Sequence, residues 1–200
     1  MQASEQQYRL SPEEYLTAER ASILKREYLD GEILALANTS REHNQIAANM
    51  VRVLSNQLIN RPCRVFASTM KVKIRAFRTY TYPDLVAVYG QEEYEDGNKD
   101  VLLNPVLIAE ILSDATEAYD RVDKFSHYQR IASFKEYVLI SQYNCKVERF
   151  SRQLDGIWVY TAYQHPEDRL VLSSIQCEVP LNEVYSKMQF RKHRLYRFLA

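Results

Sequence analysis

The sequence is poor in cysteine and carries no excess charge of either sign. Its three cysteines, Cys63, Cys145 and Cys177, are far apart and odd in number. No pair has zinc-ligand spacing, so we expect free thiols in a reducing compartment, the cytoplasm. Lysine plus arginine and aspartate plus glutamate both number 26, so any basic surface for nucleic acid or membrane must be local.

Long apolar runs are also missing. Residues 1–15 are polar and acidic, without the apolar core of a signal peptide, and no stretch is long enough to span a bilayer. We therefore expect no membrane partner. The length of 200 residues suits one domain. We expect a single domain over 1–200, with its core at 10–185 and a basic tail at 186–200.

Capping and turn signals divide the chain into helices and strands. Ser11-Pro-Glu-Glu14 is a capping box that predicts a helix, and Asp30-Gly31 predicts a hairpin over 23–37. Ser40, followed by apolar residues at helical spacing, predicts a helix from about 41 to 59. Further strands are predicted at 63–68, 70–76, 83–89, 104–112, 136–141, 146–152, 157–163 and 170–175, with helices at 117–132 and 181–188. This order predicts an α/β fold with a mixed sheet.

Two acidic residues occupy unusual places in this pattern. Glu110 lies inside the apolar run of a predicted buried strand, although glutamate is rarely buried without a partner. Asp84 follows Pro83 at the start of another strand. If the two strands are neighbours, both carboxylates can converge, and a divalent cation would offset their repulsion. Mg²⁺ typically takes one or two protein carboxylates, and it can polarise a phosphodiester and activate a water molecule.

The strand around Glu110 does not supply a cation for such a site. Leu112 shares a face with Glu110, whereas Ile111 points away but can offer its carbonyl oxygen to a metal. The following helix is expected to have an apolar side formed by Val122, Phe125, Tyr128 and Ile131. Beside that side it carries Asp120, Lys124 and Tyr128 at i, i+4 and i+8. Lys124 can therefore reach back over the end of the strand.

Several segments of the chain resemble those of a known family. "YPD" at 82–84, "NPVLIAEILS" at 104–113 and the helix-to-strand segment 117–141 resemble a relaxed form of the PD-(D/E)XK nuclease motif. "REYLDGEI" (26–33) and "SREHNQIAANMVRVL" (40–54) resemble the hairpin and helix of the bacterial family named putative restriction endonucleases, formerly a domain of unknown function. The resemblance covers roughly residues 10–185.

The resemblance implies a restriction-endonuclease-like mixed β-sheet flanked by helices, and a metal-dependent endonuclease acting on DNA. It implies that Asp84 and Glu110 bind Mg²⁺ or Mn²⁺, with a backbone oxygen from Ile111. The motif's lysine position holds Leu112 here, and the family's helical lysine falls on Lys124. Two more residues, Glu27 and His43, match acidic and histidine positions near the family's site. A homodimer is also expected, because cutting two antiparallel strands suits a two-fold arrangement.

Each candidate residue also has a plainer interpretation. Glu110 could pair with a buried arginine or lysine for structural reasons. Lys124 could form an ordinary surface pair with Asp120. His43 could be a polar residue in a first helical turn, and Glu27 could lie on the wet face of a hairpin strand. Tyr128 is most simply an aromatic residue at the edge of the core.

Two basic segments leave the functional interpretation open. Lys71, Lys73 and Arg75 line one face of a predicted strand, where they could follow phosphates or guard a solvated edge strand. The end of the chain, FRKHRLYRFLA, could contact nucleic acid, but we prefer an exposed helix or disorder. Besides a DNA endonuclease, the sequence allows a non-catalytic protein that binds nucleic acid or another partner, and a metal-dependent hydrolase acting on RNA.

Overall fold

Local signals set the N-terminal elements in the computed structural model, which describes residues 9–36 and 39–190. Helix α1 (Pro12–Arg20) begins with the predicted capping box. The Ser11 hydroxyl accepts the Glu14 N–H at 3.2 Å, and the Glu14 carboxylate accepts the Ser11 N–H at 2.8 Å. Two otherwise unpaired backbone donors of the helix terminus are thereby satisfied.

The predicted hairpin forms from β1 (Arg26–Leu29) and β2 (Glu32–Ala35). Its turn residues Asp30 and Gly31 have φ angles of 44° and 102°. Positive φ at both central residues matches the right-handed twist of the strands, and Asp-Gly tolerates it. The last predicted hairpin position, residue 37, lies outside the described residues.

The remaining α-helices and strands follow the hairpin. In chain order they are α2 (Arg41–Leu58), β3 (Cys63–Ala67), β4 (Lys71–Ile74), β5 (Thr79–Thr81), β6 (Leu85–Tyr89), β7 (Val101–Leu102), β8 (Leu107–Leu112), α3 (Glu117–Tyr119), α4 (Phe125–Tyr128), β9 (Glu136–Ser141), β10 (Val147–Arg152), β11 (Trp158–Tyr163), β12 (Arg169–Leu172), β13 (Cys177–Pro180) and α5 (Leu181–Val184). A π-helical segment, Asp120–Lys124, joins α3 to α4. No helix in the described ranges is long and apolar enough to cross a membrane.

The strands form mixed sheets flanked by helices, as predicted for an α/β fold. The main sheet has the order β11-β10-β9-β8-β6-β3, and β8 pairs in parallel with β9 but antiparallel with β6. A second sheet has the order β2-β1-β5-β4-β7, and β12 pairs with β13. Strand β8 lies inside the main sheet and is buried along its whole length.

The two faces of β8 pack against different layers. Leu107, Ala109 and Ile111 face a core cluster that includes α2. Ile108 and Leu112 face a second cluster that includes Tyr128 of α4 and other aromatic residues. Because alternate strand residues share a face, Glu110 points towards the helical segment that carries Lys124.

Strand β6 begins later than the sequence predicts. The pattern places Pro83 as its first residue, but the strand starts at Leu85, which pairs with Ala109. Asp84 therefore lies directly before the strand. The backbone pairing between β6 and β8 ends at Leu85 and Ala109, before the level of Glu110. Peptide groups beyond this point in both segments are therefore available to bond with side chains.

The lysines of β4 do not guard a solvated edge strand, which the sequence allowed. Lys71 is only 4 % exposed, and its Nζ lies 2.8 Å from Asp100 Oδ2. Lys73 forms an ion pair with Glu95. Both ammonium groups are thus neutralised inside the protein, and β4 does not present a lysine-guarded edge because it lies between β5 and β7.

The predicted helix over 117–132 ends at Tyr128 and contains the π-helical segment. Val122, expected on its apolar side, is 65 % exposed. A π-helical turn takes more residues than an α-helical turn, so the apolar spacing expected for an α-helix does not hold across it. The polar residues Asp120 and Lys124 are the buried residues of the segment instead.

Candidate active site

A cleft of about 1110 Å³ opens where β6 and β8 meet the start of α2. Its walls include the predicted site residues Asp84, Glu110, Lys124 and His43, together with Ile111. The structure thus brings these five residues, which come from four separate segments of the chain, to one place.

Asp84 and Glu110 each accept a hydrogen bond from the backbone of the other strand. The Asp84 N–H donates to Glu110 Oε2 at 3.2 Å, and the Ile111 N–H donates to Asp84 Oδ2 at 2.7 Å. The end of the β6–β8 pairing at Leu85–Ala109 frees both donors. Since the N–H and C=O of a strand residue point to the same side, we expect the Ile111 carbonyl to face Asp84 too.

Lys124 lies in the middle of a carboxylate cluster. Its Nζ is 3.2 Å from Glu110 Oε1, 3.1 Å from Asp120 Oδ1 and 3.4 Å from Glu27 Oε1. The pair with Asp120 exists as its spacing suggests, but the Lys124 side chain is only 6 % exposed. Lys124 is therefore not part of an ordinary surface pair.

Glu27 and His43 support this cluster from two other elements. Glu27 is buried on β1, and its Oε1 accepts the Tyr82 N–H at 2.8 Å, so it does not lie on a wet face. His43 is buried in the first turn of α2, with Nε2 3.0 Å from Asp84 Oδ2. His43 Nδ1 has no hydrogen-bond partner among the described residues. Glu27 thus contacts Lys124, and His43 contacts Asp84.

Burial and like charges act together on Glu110. Burial raises the pKa of Glu110 well above its ordinary value; Lys124 opposes this rise, and Asp120, Asp84 and Glu27 add to it. Burial alone would lower the pKa of Lys124, but Glu110, Glu27 and Asp120 outweigh it and raise that pKa well above its ordinary value. Lys124 therefore keeps its charge, in a site where carboxylates outnumber ammonium groups.

Two neighbours of Glu110 belong to the site although they were not predicted as site residues. Asp120 contacts Lys124, and the Tyr128 hydroxyl lies 3.0 Å from Glu110 Oε1. Tyr128 is completely buried and also lies 3.0 Å from Thr81 Oγ1. The i, i+4, i+8 spacing of Asp120, Lys124 and Tyr128 was the available signal, since it places all three on one stripe.

One further contact fixes the wall of the cleft and left no signal in the sequence. Gln142, directly after β9, donates from Nε2 to the Leu112 carbonyl at 2.8 Å. Its side-chain oxygen forms a hydrogen bond with the Ser40 hydroxyl, which also caps α2. The two residues are 102 positions apart. This bond ties the start of α2, and with it His43, to the end of β8.

Leu112 is a core residue. It is 3 % exposed and packs in the cluster that includes Tyr128. The ammonium group nearest to Glu110 comes from Lys124 on the facing helical segment. In the PD-(D/E)XK motif, a lysine on the strand would accompany the carboxylate that corresponds to Glu110. Here Lys124 lies beside that carboxylate instead.

The donor atoms suit a metal that keeps water ligands. Within 9–36 and 39–190, no three His, Cys, Asp or Glu side chains are grouped like the ligands of a metal ion. Asp84 and Glu110 offer two carboxylates, and Ile111 offers a carbonyl oxygen. Mg²⁺ usually binds through one or two carboxylates and retains several waters, so the smaller donor set is sufficient for it.

Comparison with known families indicates a nuclease-like protein of the restriction-endonuclease type. Residues 12–182 match the family Uma2, described as "Putative restriction endonuclease". Because this match spans most of the chain, the protein belongs to that family.

Two relatives and one solved structure illustrate what the chain is similar to. The uncharacterized protein sll1609 of Synechocystis sp. (strain ATCC 27184 / PCC 6803 / Kazusa) is 33% identical over 152 residues, which cover 76% of this chain and 86% of that protein. The uncharacterized protein slr1290 of the same strain is 32% identical over 182 residues, or 91% of this chain and 94% of the other. A crystal structure described as a putative nuclease belonging to DUF820, from Anabaena variabilis ATCC 29413, has a TM-score of 0.73 and 17% identity. It covers 88% of this chain and 98% of its own, and it supports the fold.

Proposed function

We propose that this protein is a metal-dependent endonuclease that hydrolyses phosphodiester bonds in DNA. The observation that carries the proposal is the meeting of Asp84, Glu110 and Lys124 at the wall of an open cleft. Membership of a family described as restriction endonucleases supports the nuclease reaction. The metal and the DNA substrate are proposed from the chemistry of the site.

The charge balance of the site favours a bound divalent cation. Three carboxylates, those of Glu27, Glu110 and Asp120, surround the single ammonium group of Lys124. A fourth carboxylate, that of Asp84, lies in the same cleft and pairs with His43. The Asp84 side chain is 17 % exposed and faces the cleft, so a cation can reach it. Asp84, Glu110 and the Ile111 carbonyl would hold Mg²⁺ or Mn²⁺. The bound ion would polarise the phosphate and lower the pKa of a water molecule.

The chain's own residues would position the reactants. Lys124 keeps its positive charge and would orient the attacking water and stabilise negative charge that develops on the phosphate. His43 holds the Asp84 carboxylate at Nε2, and Glu27 holds Lys124. His43 and Glu27 are thus positioning residues in this proposal.

Cleavage of plasmid DNA in the presence of Mg²⁺ or Mn²⁺ tests the proposal. Wild-type protein should nick or linearise the plasmid, and Asp84→Asn should not, because it loses one metal-binding carboxylate. Asp123→Asn is a matched control, since Asp123 is exposed on the helical segment that carries Lys124. It should cleave like wild type. Equal cleavage by the wild type and Asp84→Asn would contradict the assigned site, and preferential cleavage of a matched RNA would contradict the DNA substrate.

A second candidate function is binding of nucleic acid or a partner without cleavage. It is favoured by one observation: Glu110 Oε1 already contacts both Lys124 and the Tyr128 hydroxyl. This function predicts no Mg²⁺ or Mn²⁺ binding in calorimetry, and DNA binding that survives Asp84→Asn and Glu110→Gln. Metal binding that Asp84→Asn abolishes would exclude it.

We further propose that the protein acts as a cytoplasmic homodimer. A two-fold arrangement presents two equivalent sites to the two antiparallel strands of a duplex. Sedimentation at assay concentration should show a dimer, and a monomer at that concentration would contradict the arrangement.

A further inference from the structure

The candidate active-site cleft offers little free positive charge for a polyanionic substrate. The cations that line it are Lys25, Arg26 and Lys124. Arg26 pairs with Glu19 at 3.0 Å, and Lys124 is shared by three carboxylates. In the described ranges, only Lys25 of these three has no carboxylate partner, and its Nζ donates to the Ser68 carbonyl at 3.0 Å.

Acidic groups dominate the same walls. The acids that line the cleft are Glu42, Asp84, Glu110 and Asp120. A bound divalent cation would offset two of these charges, but it would not make the cleft basic. Lysines and arginines that neutralise phosphates supply essentially all of the non-specific affinity of proteins for duplex DNA. A DNA strand in this cleft therefore needs contacts of another kind.

The basic pair on β4 does not supply the missing charge. The ammonium groups of Lys71 and Lys73 are held by Asp100 and Glu95, so a phosphate would have to compete with a carboxylate for each of them. The phosphate-binding role that the sequence allowed for these lysines therefore has no support in the structure. Residues 191–200 of the predicted basic tail lie outside the described residues.

Exposed apolar side chains lie on the walls of the same cleft. Ile23 is fully exposed, Leu24 is 75 % exposed, Leu36 is 37 % exposed and Tyr143 is 46 % exposed. They come from the loop between α1 and β1, the end of the hairpin and the loop after β9. We call these four residues the apolar rim. Exposed apolar residues grouped around a groove are typical of a binding surface.

Hydrogen bonds hold the apolar rim in place before any ligand binds. Ser22 Oγ accepts the Leu24 N–H at 3.1 Å, and the Ser22 hydroxyl donates to the Leu24 carbonyl at 2.8 Å. The Leu36 N–H donates at 3.2 Å to the backbone carbonyl directly before β1. The Tyr143 hydroxyl accepts the Asp114 N–H at 3.1 Å, which fixes one end of its ring. A surface ordered in this way loses little conformational entropy on binding.

Nucleobases are the part of a DNA strand that suits the apolar rim. Every base has an apolar aromatic face that can stack on a tyrosine ring, whatever the sequence. In a duplex the neighbouring base pairs cover these faces, so the rim can reach them only where the bases are unpaired. Because the rim lines the same cleft as Asp84 and Glu110, nucleotides next to a phosphate bound at those carboxylates lie beside it.

We propose that the cleft takes the strand it cuts in unpaired form, with bases packed against the apolar rim. This inference rests on the proposed nuclease function and names its substrate class, which is single-stranded DNA or a locally open duplex. Contacts with bases thus supply the affinity that the acidic walls do not obtain from phosphates. In a homodimer, each site would take one strand of the opened duplex.

Binding of labelled DNA tests the inference. Kd is measured by fluorescence anisotropy for a short fluorescein-labelled single strand and for its duplex, with EDTA present to prevent cleavage. The wild type should bind the single strand more tightly. Tyr143→Ala should raise Kd for the single strand by about 5- to 150-fold, the loss expected when one base no longer stacks on an aromatic ring. Tyr143→Phe keeps the ring and should retain the affinity, and Ile23→Ser/Leu24→Ser should weaken binding as Tyr143→Ala does.

Exposed residues outside the cleft provide matched controls. Tyr160→Ala removes an exposed tyrosine ring from β11, and Leu154→Ser/Ile157→Ser removes two exposed apolar side chains from the turn between β10 and β11. Both should bind DNA like the wild type. Salt distinguishes contacts with bases from contacts with phosphates. Because the apolar rim carries no charge, its variants should shift Kd without changing the slope of log Kd against log salt.

Each outcome decides the matter. A single-strand preference that the rim variants reduce and the control variants retain supports the inference. Duplex binding as tight as single-strand binding overturns it, and so do rim variants with wild-type affinity. A Tyr143→Phe protein as weak as Tyr143→Ala also overturns it, because the hydroxyl and not the ring would then matter. Weaker binding together with a changed sedimentation coefficient overturns it too, since the rim would then be an interface between two copies of the chain.

Calorimetry with Mn²⁺ on the same proteins keeps the two proposals apart. Metal binding and plasmid cleavage without a single-strand preference refute the role of the apolar rim only. Absence of both metal binding and cleavage refutes the nuclease function as well.

Discussion

Replacement of Lys124 by methionine should destabilise the protein and abolish metal-dependent cleavage. Methionine has a similar length but leaves Glu27, Glu110 and Asp120 buried around a neutral side chain. Removing one partner of a buried ion pair typically destabilises a protein by about 3–5 kcal/mol, because the remaining charge is uncompensated. For a chain of this length, that corresponds to a fall in Tm of about 6–20 °C.

The destabilisation should depend on pH. The pKa of Lys124 is raised in the folded state, so its contribution is fully present below its ordinary value of 10.5 and is lost only as the pH rises through the folded-state value. Lys124 is the one group that lowers the pKa of Glu110, so its removal should raise that pKa further. A raised folded-state pKa means that stability is lost as the pH rises above about 4.5, so the deficit of Lys124→Met should be large at pH 7 and shrink towards pH 4.5.

Chemical denaturation and plasmid cleavage, measured in parallel, check this prediction. Lys71→Met is the matched control, because Lys71 is equally buried and pairs with Asp100 outside the cleft. It should lose stability but retain cleavage at temperatures where it is folded. Should Lys124→Met prove too unstable to purify, the double variant Lys124→Met/Glu110→Gln removes one of the three carboxylate charges and should recover part of the stability. A Lys124→Met protein within about 0.5 kcal/mol of wild type, with full cleavage, would refute the reasoning.

Two further predictions concern the partners of Lys124. Glu110→Gln should stabilise the protein above about pH 4.5, because the raised pKa of Glu110 means that its ionised form opposes folding there, and it should abolish cleavage; thermal unfolding at pH 4 and pH 7 checks it, and a loss of stability at pH 7 would contradict it. Tyr128→Phe removes the hydroxyl 3.0 Å from Glu110 Oε1 and should weaken Mn²⁺ binding by about 10- to 100-fold, as measured by calorimetry, whereas unchanged affinity would argue against metal binding at Glu110.

The N-terminal helix and the hairpin formed as predicted because their signals are local. The capping box at Ser11 and Glu14 involves residues three positions apart, and the Asp30-Gly31 turn is complete within the hairpin. Each signal acts through backbone geometry or bonds that adjacent residues can make by themselves. Tertiary structure has little opportunity to override them, so the sequence was sufficient at these positions.

The predictions about β4 and the Lys124 helix failed for two physical reasons. Lys71 has its partner Asp100 29 residues away, directly before β7, so the alternation of residues in β4 gives no sign that Lys71 is buried. The π-helical segment breaks the 3.6-residue period from which Val122 was assigned to the apolar side. Long-range ion pairs and local changes of helical period are both invisible to a periodicity argument.

The site was partly accessible from the sequence because its geometry follows from simple periodicities. The alternation of β8 placed Glu110 on the face of Leu112, and helical spacing placed Lys124 within reach of it. Glu27 and His43 came from the family resemblance only, since their contacts with Lys124 and Asp84 join distant segments. The buried side chains are those of Glu27, His43, Glu110 and Lys124. Their burial depends on the packing of α2 and β1 over the strand ends, which no local pattern encodes.

The late start of β6 leaves the peptide groups of Tyr82 and Asp84 free to bond with site carboxylates. The Tyr82 N–H donates to Glu27 and the Asp84 N–H donates to Glu110, whereas Pro83 between them has no N–H. If β6 extended to Pro83, the Asp84 N–H would be directed to a backbone carbonyl of a neighbouring strand and not to Glu110. The interruption of the sheet thus converts peptide donors that would join two strands into donors for two site carboxylates. Asp84 and Glu110 both line the cleft, so one backbone feature positions both acids where the proposed substrate would meet them.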